Sequence, residues 1–275
     1  MKKTKSNYSF RTLVTVIIAT LSMQLAATSP AQAQSCTPVA SLGNGTAAEN
    51  LSNFAEALAS NGETQNQINN TIAADLCVTP ITPNVSLGIS PLAASVNSDM
   101  TLSPASIYLD TATNQYLSLT GWSWDNTNYS GEISGLPTSP VNIGSTDGFG
   151  TSVSGGVTVY SSSLSYGGAG CYFAATTTSS PSSSSSIGQA YKFQDKYVVG
   201  SQGKCNNSKT GQMSMMINNP TSCKTVQIFS AYGHTWSSTT ITGITLGSSS
   251  VGISFSTTAN SWRLASNPNP SFTIC

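Results

Sequence analysis

Between residues 84 and 275 of this 275-residue chain, hydrophobic side chains recur at every second position, which is the period of a β-strand with one buried face. The alternating groups are Ile107/Leu109, Leu117/Leu119, Val157/Val159, Tyr191/Phe193, Val226/Ile228 and Val251/Ile253/Phe255. Turn-forming residues separate them at positions 113–114, 147–148 and 194–196. This pattern predicts a mainly β domain over residues 84–275, an antiparallel β-sandwich or a barrel.

Two places in this domain break the regular pattern. The hydrophobic phase changes across Gly243, between Ile241 and Ile244, which predicts a β-bulge. Residues 176–186 are almost entirely Ser and Thr, so they form either a solvated loop or a linker between domains. We favour the loop, because residues 84–275 fit one large β domain.

Residues 46–77 carry the signals of an α-helical hairpin. Thr46 with Glu49 three residues later is a capping-box pattern, and an Asn-Gly pair after the first helix favours a left-handed C-cap. The apolar positions at helical spacing are Leu51, Phe54, Ala55 and Leu58, followed by Ile68, Ile72 and Leu76. Two prolines then disfavour further helix. Residues 34–83 are therefore predicted to form the hairpin and a proline-rich connector.

The N-terminus has the three parts of a secretory signal peptide. Basic residues up to Arg11 precede an apolar run at 13–23, and small residues follow with a cleavage site expected after Ala33. The run is shorter than the ~20 residues that span a bilayer, and the mature chain is predicted to have no transmembrane segment. The bacterial style of the signal predicts a secreted, periplasmic or cell-surface protein. A lipid-anchored Cys36 is the alternative, although residues 33–35 match a lipoprotein signal poorly.

Six cysteines follow this signal, and an exported protein is expected to hold them as disulfides. They are Cys36, Cys77, Cys171, Cys205, Cys223 and Cys275. Sequence alone leaves the pairing open, but a Cys36–Cys77 bond is favoured because the two residues bracket the helical segment. No spacing of Cys and His resembles a metal site, so no metal and no cofactor is predicted.

Charge is scarce throughout the chain. Only 7% of residues are charged, while 48 Ser and 34 Thr carry hydroxyl groups. Without residues 1–33, six basic and ten acidic residues remain, a net charge of −4. Nucleic-acid binding needs clustered Lys and Arg, so a nucleic-acid partner is excluded.

An aromatic group at 116–129 is the candidate ligand-binding site. In one strand, Tyr116, Trp122 and Trp124 share a face, with the two tryptophans ~6.6 Å apart, and Tyr129 follows in the next loop. Such a strip can stack on sugar rings. The alternative is that these side chains fill the core, which is the commoner fate of large aromatic residues and the one we favour.

No catalytic residue is predicted. His234 is the only histidine, and a lone histidine beside tryptophan is usually packed and hydrogen-bonded; no G-x-S-x-G motif occurs. A glycosidase needs only one pair of carboxylates, and the candidates for such a pair are Asp125, Glu132 and Asp147. Residues 125–132 do not match a calcium-binding loop, and the glycine-rich segment 144–150 is predicted to be a tight turn.

These observations favour a secreted, non-catalytic binding or surface-interaction protein. Its partner would be a polysaccharide or a cell-surface protein, recognised through hydroxyl groups and exposed aromatic rings. One alternative is a secreted carbohydrate-active hydrolase that uses acidic residues in 125–147. A second alternative is a structural component of an extracellular matrix or coat, for which low charge favours self-association. The oligomeric state stays open.

Overall fold

The computed structural model describes residues 36–84, 99–171, 173–266 and 271–275. The predicted signal peptide at 1–33 lies outside the described residues. Within them, the helices are α1 (Ala47–Ser60) and α2 (Gln65–Asp75), and the strands are β1 (Val78–Pro80), β2 (Met100–Asp110), β3 (Gln115–Trp124), β4 (Val141–Val153), β5 (Val159–Gly167), β6 (Thr176–Thr178), β7 (Ser183–Ser185), β8 (Gly188–Gly200), β9 (Gly203–Asn206), β10 (Thr210–Ile217), β11 (Lys224–Val226), β12 (Ile228–Thr235), β13 (Ile241–Leu246), β14 (Val251–Phe255), β15 (Ser261–Ala265) and β16 (Phe272–Ile274). The predicted mainly β, antiparallel fold with a helical hairpin is confirmed. Neither α-helix combines the length and the hydrophobicity that crossing a bilayer requires.

The helical hairpin is capped by side chains at both of its helix starts. Thr46 accepts a hydrogen bond from the backbone N–H of Glu49 at 3.2 Å, so α1 begins where the sequence predicted. Thr64 and Gln67 form a complete capping box at the start of α2, which the sequence analysis overlooked. Gly62, between the helices, has φ +88°, a conformation that strains other residues.

Two antiparallel sheets hold most of the strands. The first has the order β1-β2-β3-β10-β5-β6, and the second has the order β15-β12-β4-β8-β7 with β9 also paired to β8. Trp122 on β3 contacts Phe149, Phe193 and Tyr232 on the second sheet, with ring centroids 4.9, 5.4 and 5.1 Å away. The sheets therefore share one hydrophobic core.

The outer faces of the two sheets are also covered. Leu117 and Leu119 alternate with the core residues of β3 and pack in a cluster with α1 and α2. The β13–β14 hairpin packs on β12 of the second sheet through a third cluster of Ala231, Ile241, Val251 and Ile253. The pairing register of β13 shifts between Ile241 and Gly243, as the predicted bulge requires.

Three predicted turns are wrong. Residues 147–148 and the glycine-rich segment 144–150 lie inside β4, and residues 194–196 lie inside β8. These segments contain Asp and Gly, which favour turns, but tertiary contacts described below hold them in the second sheet. Residues 176–186 are also not a simple loop, because β6 pairs with β5 on one sheet and β7 pairs with β8 on the other.

All six cysteines are paired. The predicted Cys36–Cys77 bond is confirmed, and the others join Cys171 to Cys205 and Cys223 to Cys275. The last bond ties the C-terminal residue to the body of the protein. Tyr116 also holds Cys275 in place. The Tyr116 hydroxyl donates to the carbonyl oxygen of Cys275 at 2.8 Å and accepts a hydrogen bond from the N–H of Cys275 at 2.9 Å.

Candidate functional site

The four predicted ligand-binding aromatics do not form an exposed strip. Tyr116, Trp122, Trp124 and Tyr129 are 3%, 1%, 3% and 1% exposed. The first three share a face of β3, as predicted, but that face is the one covered by the second sheet. Tyr129 packs edge-on against Trp124, with centroids 5.3 Å apart. These side chains therefore fill the core, which is the interpretation that the sequence analysis favoured over an exposed glycan platform.

The main polar feature of this core is a buried histidine surrounded by acidic residues. His234 lies on β12, Asp147 on the adjacent β4 and Asp195 on the next strand, β8. Gly233 pairs with Gly148 and Asp147 pairs with Phe193, so the three side chains fall on one face of neighbouring strands. All three are completely buried.

Both ring nitrogens of His234 contact carboxylates. Nδ1 lies 2.9 Å from Asp147 Oδ2, and Nε2 lies 2.8 Å from Glu132 Oε2. Glu132 belongs to a short 3-10 helix, Asn128–Glu132, and keeps 19% of its side chain exposed. Asp147 also accepts hydrogen bonds from the Tyr232 hydroxyl at 2.6 Å and from the Thr235 N–H at 2.9 Å.

The pKa values of this cluster reflect the balance between burial and charge. Burial alone would lower the pKa of His234, but the contacts with Asp147 and Glu132 outweigh it and raise this pKa well above its ordinary value. Burial, followed by repulsion from Asp147, raises the pKa of Asp195 well above its ordinary range. Burial and the same carboxylate raise the pKa of Tyr232. The two carboxylate contacts therefore favour the protonated, imidazolium form of His234.

Aromatic rings enclose the imidazole on its remaining sides. The rings of Trp124, Trp262 and Trp236 lie 5.1, 5.3 and 5.6 Å from it. An imidazolium that donates from both nitrogens to carboxylates has no lone pair to accept a proton, so it cannot serve as a general base. Of the three candidate glycosidase acids, Glu132 and Asp147 are held by this histidine, whereas Asp125 accepts a hydrogen bond from Thr101 at 2.8 Å.

The sequence contains a signal for this cluster in the hydrophobic phase of three strands. Asp195 continues the alternation of Tyr191 and Phe193, so it occupies a position where a hydrophobic residue is expected. Asp147 precedes Phe149 and His234 follows Tyr232 in the same manner. A charged residue in the hydrophobic phase of a strand is rare unless it is paired. Three such residues in one chain therefore indicate that they contact one another in the folded protein.

A second feature is a cleft of about 490 Å³, with polar and apolar side chains in its wall, where the helical hairpin meets the ends of β2, β3 and β10. We call it the hairpin cleft. Its lining includes Glu63, Gln65, Thr101, Trp124, Lys209 and Gln212. The volume is within the range of small-molecule sites in proteins, ~300–1,000 Å³. Trp122 and Trp124 also contribute to its wall, although little of either ring is exposed.

Two lining residues of the hairpin cleft hold buried polar atoms that lack a hydrogen-bond partner among the described residues. They are the acceptor Oε1 of Gln212 and the donor Nε1 of Trp124. The amide nitrogen of Gln212 is engaged, since it donates to Gln65 Oε1 at 3.3 Å. Buried polar groups are normally satisfied, so these two atoms are exceptions among the residues that line the cleft.

Comparisons with known proteins do not assign a family or a function to this chain. No family model matches the sequence, and no curated protein matches it. Among solved structures, the chain aligns with Clostridium perfringens delta-toxin at a TM-score of 0.20 and 7% sequence identity. This alignment covers 72% of the present chain and 98% of the toxin chain. A TM-score this low carries no argument about fold or function.

Proposed function

We propose that this protein is an exported, non-catalytic binding protein that recognises an uncharged, hydroxyl-rich ligand, a segment of a glycan, in the hairpin cleft. The observation that carries the proposal is the set of hydrogen-bonding groups around that cleft. Gln65, Gln212 and Thr101 offer amide and hydroxyl groups, which can both donate to and accept from sugar hydroxyls. Gln212 Oε1, which is buried beside the cleft, has no hydrogen-bond partner among the described residues and would gain one if the cleft wall opened toward a ligand hydroxyl.

The charges at the cleft are few and of both signs. Glu63 and Asp125 face one cation, Lys209, so the lining has no strong net field that would select a polyanion or a polycation. Recognition by hydrogen bonds and apolar contacts is only weakly screened by salt. Binding is therefore expected to change little between low and high ionic strength.

The buried cluster supports a binding role over hydrolysis. A glycosidase needs one carboxylic acid and one carboxylate that flank the bond to be cleaved, both open to the substrate. Asp147 is completely buried and accepts from Tyr232, Thr235 and His234, so a polysaccharide cannot approach it. Glu132 is hydrogen-bonded to the same histidine.

Export is part of the proposal. The N-terminal signal pattern and the three disulfides both agree with an oxidising compartment, because thiols are kept reduced in the cytosol. The proposal therefore includes cleavage after Ala33 and a location in the medium, the periplasm or the cell surface.

A glycan array followed by calorimetry tests this function. The variants Gln65→Ala and Thr101→Val alter the cleft lining, and Gln202→Ala serves as the matched control because Gln202 is exposed in a turn between β8 and β9. We expect the array to yield a neutral glycan, and both cleft variants to weaken its binding at least about tenfold, the effect of losing ~1.4 kcal/mol of hydrogen bonding. Equal binding by the cleft and control variants, or no glycan on the array, would overturn the proposal. Substitution of Trp122 and Trp124 is unsuitable as a test, since both fill the core.

A further inference from the structure

The cluster around His234 also has the arrangement of a metal site. One ligand atom each from Asp147, Asp195 and His234 lies within 4.8 Å of the other two. Nδ1 of His234 is 2.9 Å from Asp147 Oδ2 and 3.8 Å from Asp195 Oδ2. Ligands of a tetrahedral zinc ion, at ~2.1 Å from the metal, are about 3.4 Å from one another. The two observed separations lie on either side of that value.

A second observation points to a missing partner at this place. Oδ2 of Asp195 is buried and has no hydrogen-bond partner among the described residues, and it is the same atom that lies 3.8 Å from the imidazole. A buried carboxylate oxygen is costly without a donor or a cation. Hydrogen bonds within the cluster leave this atom unsatisfied.

The other side of the imidazole matches the outer shell of a metal-bound histidine. Such a histidine almost always donates its second ring N–H to a carboxylate or carbonyl, which fixes the ring and increases its basicity. Nε2 of His234 donates to Glu132 at 2.8 Å, so Nδ1 is the nitrogen turned toward the two aspartates. Asp147 is oriented in turn by Tyr232 and Thr235, at 2.6 and 2.9 Å.

The charges of the ligands favour a divalent ion. With both aspartates deprotonated and a neutral imidazole, the three ligands carry a net charge of −2, which a divalent ion neutralises. We propose that Asp147, Asp195 and His234 bind one divalent transition-metal ion, with Zn²⁺ as the best fit and Mn²⁺ as the second. Two carboxylates and one imidazole suit these ions, whereas Ca²⁺ requires six to eight oxygen ligands.

Binding exchanges a proton for the metal. The proton that His234 Nδ1 shares with Asp147 is released to solvent, together with any proton on Asp195. The lone pair of Nδ1 then binds the ion. Nε2 keeps its proton and its hydrogen bond to Glu132. The bound ion would join β4, β8 and β12 at a place where all three ligands are completely buried.

The single histidine makes a direct test possible. The untagged protein is labelled with ¹⁵N-histidine, so that its spectrum reports only His234, after dialysis against EDTA and then with added Zn²⁺. We expect both nitrogens to be protonated in the metal-free protein. One equivalent of Zn²⁺ is expected to convert Nδ1 to a metal-bound nitrogen, while Nε2 remains protonated. The apparent Tm should rise with Zn²⁺ and not with Ca²⁺.

Matched variants separate this site from surface binding. Loss of an outer-shell group typically weakens metal binding 10- to 100-fold, and Glu132→Gln is expected to weaken Zn²⁺ binding by about that factor. Asp195→Asn removes a ligand and is expected to weaken Zn²⁺ binding by more than that. Asp75→Asn, on an exposed carboxylate at the end of α2, is expected to bind Zn²⁺ as the unaltered protein does. The proposal is overturned if Nδ1 keeps its proton at saturating Zn²⁺, or if Asp195→Asn binds as tightly as the control. Should Asp195→Asn fail to fold, the spectrum of the unaltered protein decides the matter.

Discussion

Glu132 Oε2 accepts a hydrogen bond from His234 Nε2 at 2.8 Å, although 102 residues separate the two in the chain. The contact joins a 3-10 helix that follows β3 of the first sheet to β12 of the second. It also fixes the imidazole so that Nδ1 faces Asp147 and Asp195. This hydrogen bond therefore orients the imidazole at the centre of the polar cluster.

Replacement of Glu132 by alanine is expected to lower the free energy of unfolding by ~1.5–3 kcal/mol, because the imidazole loses a charged hydrogen-bond partner in a buried place. Urea unfolding, followed by tryptophan fluorescence, measures the loss. Asp125→Ala is the control, and it should change the free energy of unfolding by under about 0.5 kcal/mol because Asp125 is exposed. Equal losses in the two variants would contradict a specific role for the Glu132 contact.

Glu56 on α1 provides a prediction about pH. Burial raises the pKa of Glu56 from 4.5 to about 7, although Ser60 and Thr210 donate to its Oε1 at 2.8 and 2.7 Å. The folded state binds the proton of Glu56 more tightly than the unfolded state does, so protonation of Glu56 stabilises the fold. This stabilisation is complete below pH 4.5 and is lost as pH rises through about 7. The shift corresponds to ~3 kcal/mol at 1.36 kcal/mol per pKa unit.

The variant Glu56→Gln isolates this effect from that of other acidic groups. Glutamine is neutral at every pH, so the variant should be more stable than the unaltered protein at pH 8 and similar to it at pH 4.5. Urea unfolding at several pH values gives the difference between the two proteins. A difference that does not change between pH 4.5 and pH 8 would rule out a raised pKa at Glu56.

Gly211 on β10 lies directly against the ring of Trp122. A Cβ at this position would lie 2.2 Å from Cη2 of the indole, which is far inside van der Waals contact. Gly211→Ala is therefore expected to displace Trp122 and to cost ~1–3 kcal/mol of stability. Near-ultraviolet circular dichroism detects the displaced indole. Gly243→Ala is the control, since a Cβ there meets no atom within 4 Å, and it should leave the spectrum unchanged.

The parts of the fold that could be predicted from sequence are those with local causes. Thr46 caps α1 through a residue three positions away, and the alternation around Leu117 and Leu119 follows from the pleat of β3. The alternation also placed Trp122 and Trp124 on one face correctly. It could not show which layer covers that face, because the covering residues Phe149, Phe193 and Tyr232 belong to distant strands.

The contacts of the polar cluster could not be predicted because its members are far apart in sequence, even though Asp147, Asp195 and His234 each occupy a hydrophobic strand position. Asp147 and Asp195 lie among turn-forming residues, and a carboxylate inside a sheet is unfavourable until its partner is known. That partner, His234, is 87 residues from Asp147 in sequence. The turn prediction at these positions was reasonable for an isolated segment and wrong for the folded chain. The hairpin cleft could not be predicted for the same reason, since Gln65 and Gln212, which are hydrogen-bonded to each other there, are 147 residues apart in sequence.

The Cys36–Cys77 bond closes a loop that contains both helices, with a sequence separation of 41. In the loop-entropy account, removing the bond frees the unfolded chain and lowers the free energy of unfolding by ~4 kcal/mol. The double variant Cys36→Ser, Cys77→Ser tests this by guanidinium unfolding under non-reducing conditions. Cys171→Ser, Cys205→Ser is the matched comparison, because its separation of 34 predicts nearly the same loss. A loss under about 1 kcal/mol for the first pair would mean that the contacts of α1 and α2 with the first sheet hold the hairpin, and that the disulfide adds little to them.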